Sequence, residues 1–105
     1  MYKIDFSAKY EKKAKKFFKK HSYLKDKYIK TIRILQSNPY HPSLRLHKLQ
    51  GNLKDFYFVS IDMEYRIIID FIIVDKRVIL IVIDSHNALI IYLYILNRIY
   101  ILITI

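Results

Sequence analysis

The feature that most restricts the fold of this chain is a pair of β-branched runs, residues 65–74 and 77–83, separated only by Asp75-Lys76. Runs this apolar at consecutive positions read as a hairpin of strands, buried on much of both faces. Upstream, the apolar period is two. Phe56, Phe58 and Ser60 alternate with Asp55, Tyr57 and Val59, and from Leu44 the residues Leu44, Leu46 and Lys48 alternate with Arg45, His47 and Leu49. These are two further strands, turned by Gly51-Asn52, and Asp62-Met63-Glu64 is the connection into the hairpin.

The first third of the chain has a different rhythm. Tyr2, Ile4 and Phe6 alternate with Lys3 and Asp5 as a short strand, after which Ser7 can cap a helix. Phe6, Tyr10, Ala14, Phe17 and Phe18 fall on one helical face, and Lys12, Lys13, Lys15, Lys16, Lys19 and Lys20 cover the rest. His21-Ser22 is a break, with Ser22 a candidate second cap. Leu24, Tyr28, Ile32 and Leu35 then predict a helix to about Ser37, ended by Asn38-Pro39. So short a connection implies an αα-hairpin. The fold class is therefore α+β, in the order β-α-α-β-β-β-β, with two helices on one face of a largely antiparallel sheet.

Charge divides the chain in two. Residues 1–54 hold 15 Lys/Arg against 3 Asp/Glu, and residues 55–105 hold 4 against 6. So one-sided a balance points to a polyanionic partner, with a solvated lysine face as the plain alternative. Zero cysteines exclude a disulfide framework, Cys-ligated zinc and a thiolate nucleophile. The opening MYKIDFSAKYEKK turns polar at once and shows no signal-peptide h-region, so a cytoplasmic protein is expected. The stretch from Ala88 to Ile105 is almost all Ile, Leu and Tyr, broken by Asn97-Arg98 into pieces too short to span a membrane. An arginine at mid-span costs roughly 2.5–3.5 kcal/mol. No membrane association is expected, and the β-branched content favours extra strand. The organisation expected is a domain over residues 1–90 and an apolar tail over 91–105.

No Gly-rich phosphate loop, HExxH pair or Ser nucleophile elbow is present. What remains is four histidines, a few carboxylates and the basic residues. Cleavage of RNA without a metal needs a base for the 2′-hydroxyl proton, an acid for the leaving oxygen and a cation for the transition state. Histidine, with a pKa of roughly 6.5, suits the first two roles and arginine the third. His86, just past the last strand, and His47, beside Lys48, are candidates, as are Glu64 and Arg66. Their plain readings are a turn histidine, a surface strand residue, a loop carboxylate and, for Arg66, a snorkelling edge arginine or the partner of Asp62 or Glu64. His21 and His41 read as connection residues. His47, Glu64 and His86 could also hold a metal, but no short ligand spacing supports that, and no cofactor is expected.

The run SLRLHKLQGNLKDFYFVSIDMEYRIIIDF, followed after a hairpin by VILIVIDSHNAL, resembles the RelE/ParE superfamily of toxins, and within it the RelE- and YafQ-type mRNA interferases. The L-x-H-x-L-x-G-x-L-K block, the M-x-Y-R-I-I block and the late histidine carry the resemblance, which covers about residues 1–90. It implies a cytoplasmic toxin of a type II toxin-antitoxin module that cuts mRNA on the ribosome. Its partners would be a cognate antitoxin, the ribosome and mRNA, and the toxin itself would be a monomer within the toxin-antitoxin complex. By position, His47 would assist acid-base catalysis, with Glu64 where the family has an active-site aspartate. Arg66 would stabilise the scissile phosphate and His86 would be the general acid. Lys48, Lys54, Lys12 and Lys16 would contact RNA phosphates. Ser60 stands where YafQ-like members can carry another histidine, and after His86 the sequence Asn87-Ala88-Leu89-Ile90 replaces the usual charged residue and aromatic, leaving Tyr92 as the candidate stacking ring. The alternative is a toxin-fold protein without RNase activity, either gyrase-directed as ParE is or an antitoxin-binding relic.

Overall fold

The protein was described from a computed structural model, which places residues 1–49, 56–72, 75–91, 93 and 94. Gly51-Asn52, Lys54, Tyr92 and Asn97-Arg98 lie outside the described residues.

Strand β1 (Lys3–Phe6) leads into helix α1 (Ala8–Lys20), capped by Ser7, whose Oγ accepts from the Tyr10 amide at 3.0 Å. Helix α2 (Lys25–Ser37) follows, then β2 (His47–Lys48), β3 (Phe56–Ser60), β4 (Tyr65–Ile72) and β5 (Arg77–Ser85). The sheet order is β1-β5-β4-β3-β2, antiparallel except where β1 runs parallel beside β5. That parallel pair is clamped by Arg77, whose Nε and Nη2 both reach Asp5 Oδ2 at 2.7 Å.

Alternation along β4 divides the interior between the two faces of the sheet. Tyr65, Ile67 and Ile69 point toward α1 and α2, where Leu24, Leu35, Val59 and Val78 are fully buried beside Tyr10, Ala14 and Leu80. Ile68 points the other way, into a smaller cluster with Leu49, Phe58 and Leu89. A bulge opposite Ile68/Ile69 inserts Ile81 into β5. The extra residue lets Leu80 and Ile83, three apart, both face the helices.

Four expectations need correction. Ser22 does not cap α2: Ser22–Leu24 forms a 3-10 turn, and Leu24 at the cap position is drawn fully into the core. The strand expected from Leu44 is confined to His47–Lys48, because Pro42–Leu44 coils into a second 3-10 turn that buries Leu44 and Arg45 leaves it left-handed. Phe6 is not part of the buried face of α1 and stands 51% exposed. Residues 86–91, 93 and 94 are helical, not extended. Ser85 Oγ accepts from the Ala88 amide at 3.2 Å, starting that helix, and Leu89 and Leu93, four apart, pack onto Phe58 and Ile68. Packing thus continues beyond residue 90.

Candidate active site

Phe58 is the floor on which the site is assembled. It is 5% exposed, pairs directly with His47 across β2–β3 and meets the His86 ring edge-on, with centroids 5.9 Å apart. Phe58 thus lies opposite His47 in the strand register and in ring contact with His86, so the two histidines, far apart in sequence, flank one residue.

His86 owes its position to two events at one residue. Its amide donates to the Glu64 carbonyl at 2.8 Å, extending the β4–β5 ladder one step beyond Ser85, and it is also the first helical residue after the Ser85 cap. The far side of that junction is fixed by Asp62, whose Oδ1 accepts from the Glu64 and Tyr65 amides at 2.9 and 2.8 Å. Ser60 Oγ donates to the Asp62 carbonyl at 2.6 Å, so it belongs to the turn. Arg66, the second residue of β4, stands opposite Ser60 on one side and Asp84 on the other. Neither gives it an ion pair: Asp84 Oδ1 accepts from the Ser85 amide at 2.8 Å.

His47, Arg66 and His86 line one concavity of about 240 Å³ together with Phe58 and Arg45. Among the described residues it has cationic and imidazole groups on its walls and no carboxylate. Glu64 is exposed and lends the site its backbone carbonyl; its side chain does not line the concavity. Lys48 is exposed and alternates away from His47. Lys12 and Lys16 are exposed on α1, across the sheet from the site. Lys16 lines a separate groove with Lys13, Lys20, His21 and Asp84. No group of three or more His, Asp or Glu among the described residues is placed to hold a metal ion.

The remaining histidines are held elsewhere. His21 stacks on Phe17 and Tyr65, with centroids 4.4 and 5.0 Å away, and His41 Nδ1 accepts from the Ser43 amide at 3.1 Å. The Tyr65 hydroxyl is held up to about 12, chiefly by its hydrogen bond with Tyr23, with the Glu64 and Asp62 carboxylates adding to the effect. It stays neutral near pH 7 and faces the helices, so it offers the site neither base nor acid.

Arg45 is the residue that sequence reasoning passed over. The signal was available, since the alternation that set His47 on one side of the chain set Arg45 beside it. Its backbone is left-handed, at φ 49° and ψ 49°, which costs a residue other than glycine roughly 1–2 kcal/mol.

This order of elements, with the αα-hairpin on one face of a five-stranded sheet, is the fold of the RelE/YafQ-like toxins. The crystal structure of YafQ from Escherichia coli strain BL21(DE3) is 20% identical over 85% of this chain and 98% of its own, with a TM-score of 0.68. A metal-bound toxin from Helicobacter pylori is 26% identical over 85% and 99%, with a TM-score of 0.69. The YoeB–YefM complex from Staphylococcus aureus contains a chain 20% identical over 82% and 98%, at 0.65. No family model matches the sequence, and no curated protein matches it.

Proposed function

We propose that this chain is the toxin of a type II toxin-antitoxin module and acts as a ribosome-dependent endoribonuclease, with residues 1–90 as the toxin domain. The observation that carries the reading is the meeting of His47, Arg66 and His86, from three separate elements, in one small concavity without a carboxylate on its wall.

The chemistry follows from those groups. His47 takes the proton of a ribose 2′-hydroxyl, and the 2′-oxygen attacks the adjacent phosphorus. The bond from phosphorus to the 5′-oxygen breaks, and His86 donates the proton that the leaving oxygen needs. The products are a 2′,3′-cyclic phosphate and a 5′-hydroxyl. Arg66 holds the non-bridging oxygens as charge develops on them, and it has no competing ion pair among the described residues. Glu64 contributes through its backbone carbonyl, which seats the His86 amide. Lys12, Lys16, Lys48 and Lys54 hold RNA phosphates by charge, a salt-sensitive contribution. An antitoxin is the expected protein partner, in keeping with the likeness to a chain solved as a YoeB–YefM complex.

Induction in cells, with mapping of mRNA ends, tests the proposal. Codon-positioned cuts that vanish in His86→Ala and Arg66→Ala are expected. Normal growth with no new cuts would instead favour a toxin-fold protein without RNase activity.

A further inference from the structure

The walls of the concavity carry two guanidinium groups, Arg45 and Arg66, and the reaction above uses only one. Neither arginine has an ion pair among the described residues, and the site's lining offers no carboxylate to neutralise either. Two uncompensated guanidinium forks lining one concavity with two imidazoles form a site for a phosphate group, since each fork matches the spacing of two phosphate oxygens.

The backbone at Arg45 supports a binding role over a packing role. The Pro42–Leu44 turn fixes Leu44 in the core at 1% exposure, and the Arg45 amide closes the turn on the Pro42 carbonyl at 3.2 Å. Arg45 itself leaves the turn in left-handed geometry, where glycine is the comfortable choice. An arginine there is exposed and buries nothing in the core, so its side chain is not retained for stability. What it does is reach the same concavity as His47, two residues on. At about 240 Å³ the concavity is smaller than the roughly 300–1,000 Å³ of pockets that enclose a whole drug-sized ligand. It has room for a sugar phosphate, and in the arrangement proposed here both of its forks are taken up by phosphate oxygens.

We propose that Arg45 is a second phosphate-binding residue, and that with Arg66 it makes a clamp for the ribose 3′-phosphate group of an RNA strand, read through phosphate and sugar with the base left outside. This deepens the nuclease reading and rests on it for the identity of the strand, but phosphate binding is measurable without any cleavage.

The test is a titration of the purified full chain with adenosine 3′-monophosphate, followed by the histidine ring signals in NMR, with adenosine and inorganic phosphate as parallel probes. The nucleotide is expected to shift His47 and His86 and to leave His41 in place. Inorganic phosphate should do the same more weakly, and adenosine should do nothing. Arg45→Ala should weaken nucleotide binding roughly tenfold or more, as loss of a charge-assisted contact does. Arg45→Lys should restore only part of it, because an ammonium lacks the fork. Arg45→Gly is the control for folding: it suits the left-handed backbone, so it should unfold no more easily than the parent while binding as poorly as Arg45→Ala. Parent-like affinity in Arg45→Gly or Arg45→Ala overturns the proposal, as does a parent chain that fails to bind the nucleotide. Absence of mRNA cuts in cells, with this binding intact, would overturn the nuclease reading and leave the clamp standing.

Discussion

The two faces of one sheet do different work in this molecule. On the helix face, Ile67, Ile69, Val78 and Leu80 meet Leu24 and Leu35 in a continuous interior that includes no candidate catalytic group. On the other face the buried cluster, among the described residues, is Leu49, Phe58, Ile68 and Leu89, and the candidate histidines and arginines line one concavity with Phe58. Period-two alternation makes this division possible, because neighbours on β4 such as Arg66 and Ile67 serve opposite faces. On the proposed reading, stability and chemistry are separable residue by residue, except at the few side chains beneath the site.

That separation can be broken or sharpened experimentally. The largest effect should come from His86→Ala, which removes the proposed acid: cleavage of ribosome-bound mRNA should fall roughly 10²–10⁴-fold. Its unfolding free energy, from urea denaturation, should change far less than that of a core variant. On the helix face, Leu35→Ala should cost about 2–5 kcal/mol of unfolding free energy, with any surviving folded fraction still binding nucleotide. Leu89→Ala is the informative intermediate, because Leu89 lies under the site face. It should cost about 2 kcal/mol and also weaken nucleotide binding, by loosening the helical turn that carries His86. If Leu35→Ala and Leu89→Ala damage binding equally per unit of lost stability, the two faces are not separable.

The smallest effect concerns pH and belongs to the helix face alone. Tyr10 and Tyr28 share a hydrogen bond of 2.9 Å, and burial, with the neighbouring hydroxyl adding at Tyr10, pushes the Tyr10 hydroxyl well above its ordinary value of 10.0. Burial also raises Tyr28. Above that ordinary value the unfolded chain loses these protons while the folded chain keeps them, so stability should decline as pH rises past about 10. A Tyr10→Phe/Tyr28→Phe variant should show a shallower decline in unfolding free energy between neutral and alkaline buffer.

Much of this was legible in the sequence, and the gaps have physical causes. Alternation around Phe56–Ser60 and the β-branched hairpin located the central sheet, because a two-residue period and burial on both faces leave a local signature. The histidine and arginine candidates followed from residue type and from the ends of those strands. The parallel contact of β1 with β5 did not, since Asp5 and Arg77 are 72 residues apart and nothing local announces their pairing. The helical turn at His86 was hidden because Ile and Tyr favour strands in general. The competing signal, the Ser85 cap with Leu89 and Leu93 at four-residue spacing, becomes decisive only with a second sheet face to cover. Alternation put Arg45 on the side of His47, but as part of a strand that does not reach it; Arg45 instead caps a turn with a left-handed backbone that depends on burial of Leu44, a tertiary demand.

The central claim is that the face around Phe58 cleaves RNA by attack of its own 2′-hydroxyl. The most direct measurement is the chemical identity of the new ends after cleavage of mRNA on purified, programmed ribosomes. The account predicts 5′-hydroxyl ends, which become competent for ligation only after treatment with a kinase, opposite 2′,3′-cyclic or 3′-phosphate ends. New 5′-phosphate ends facing 3′-hydroxyls would mean that water, not the 2′-oxygen, attacks phosphorus, and would contradict it.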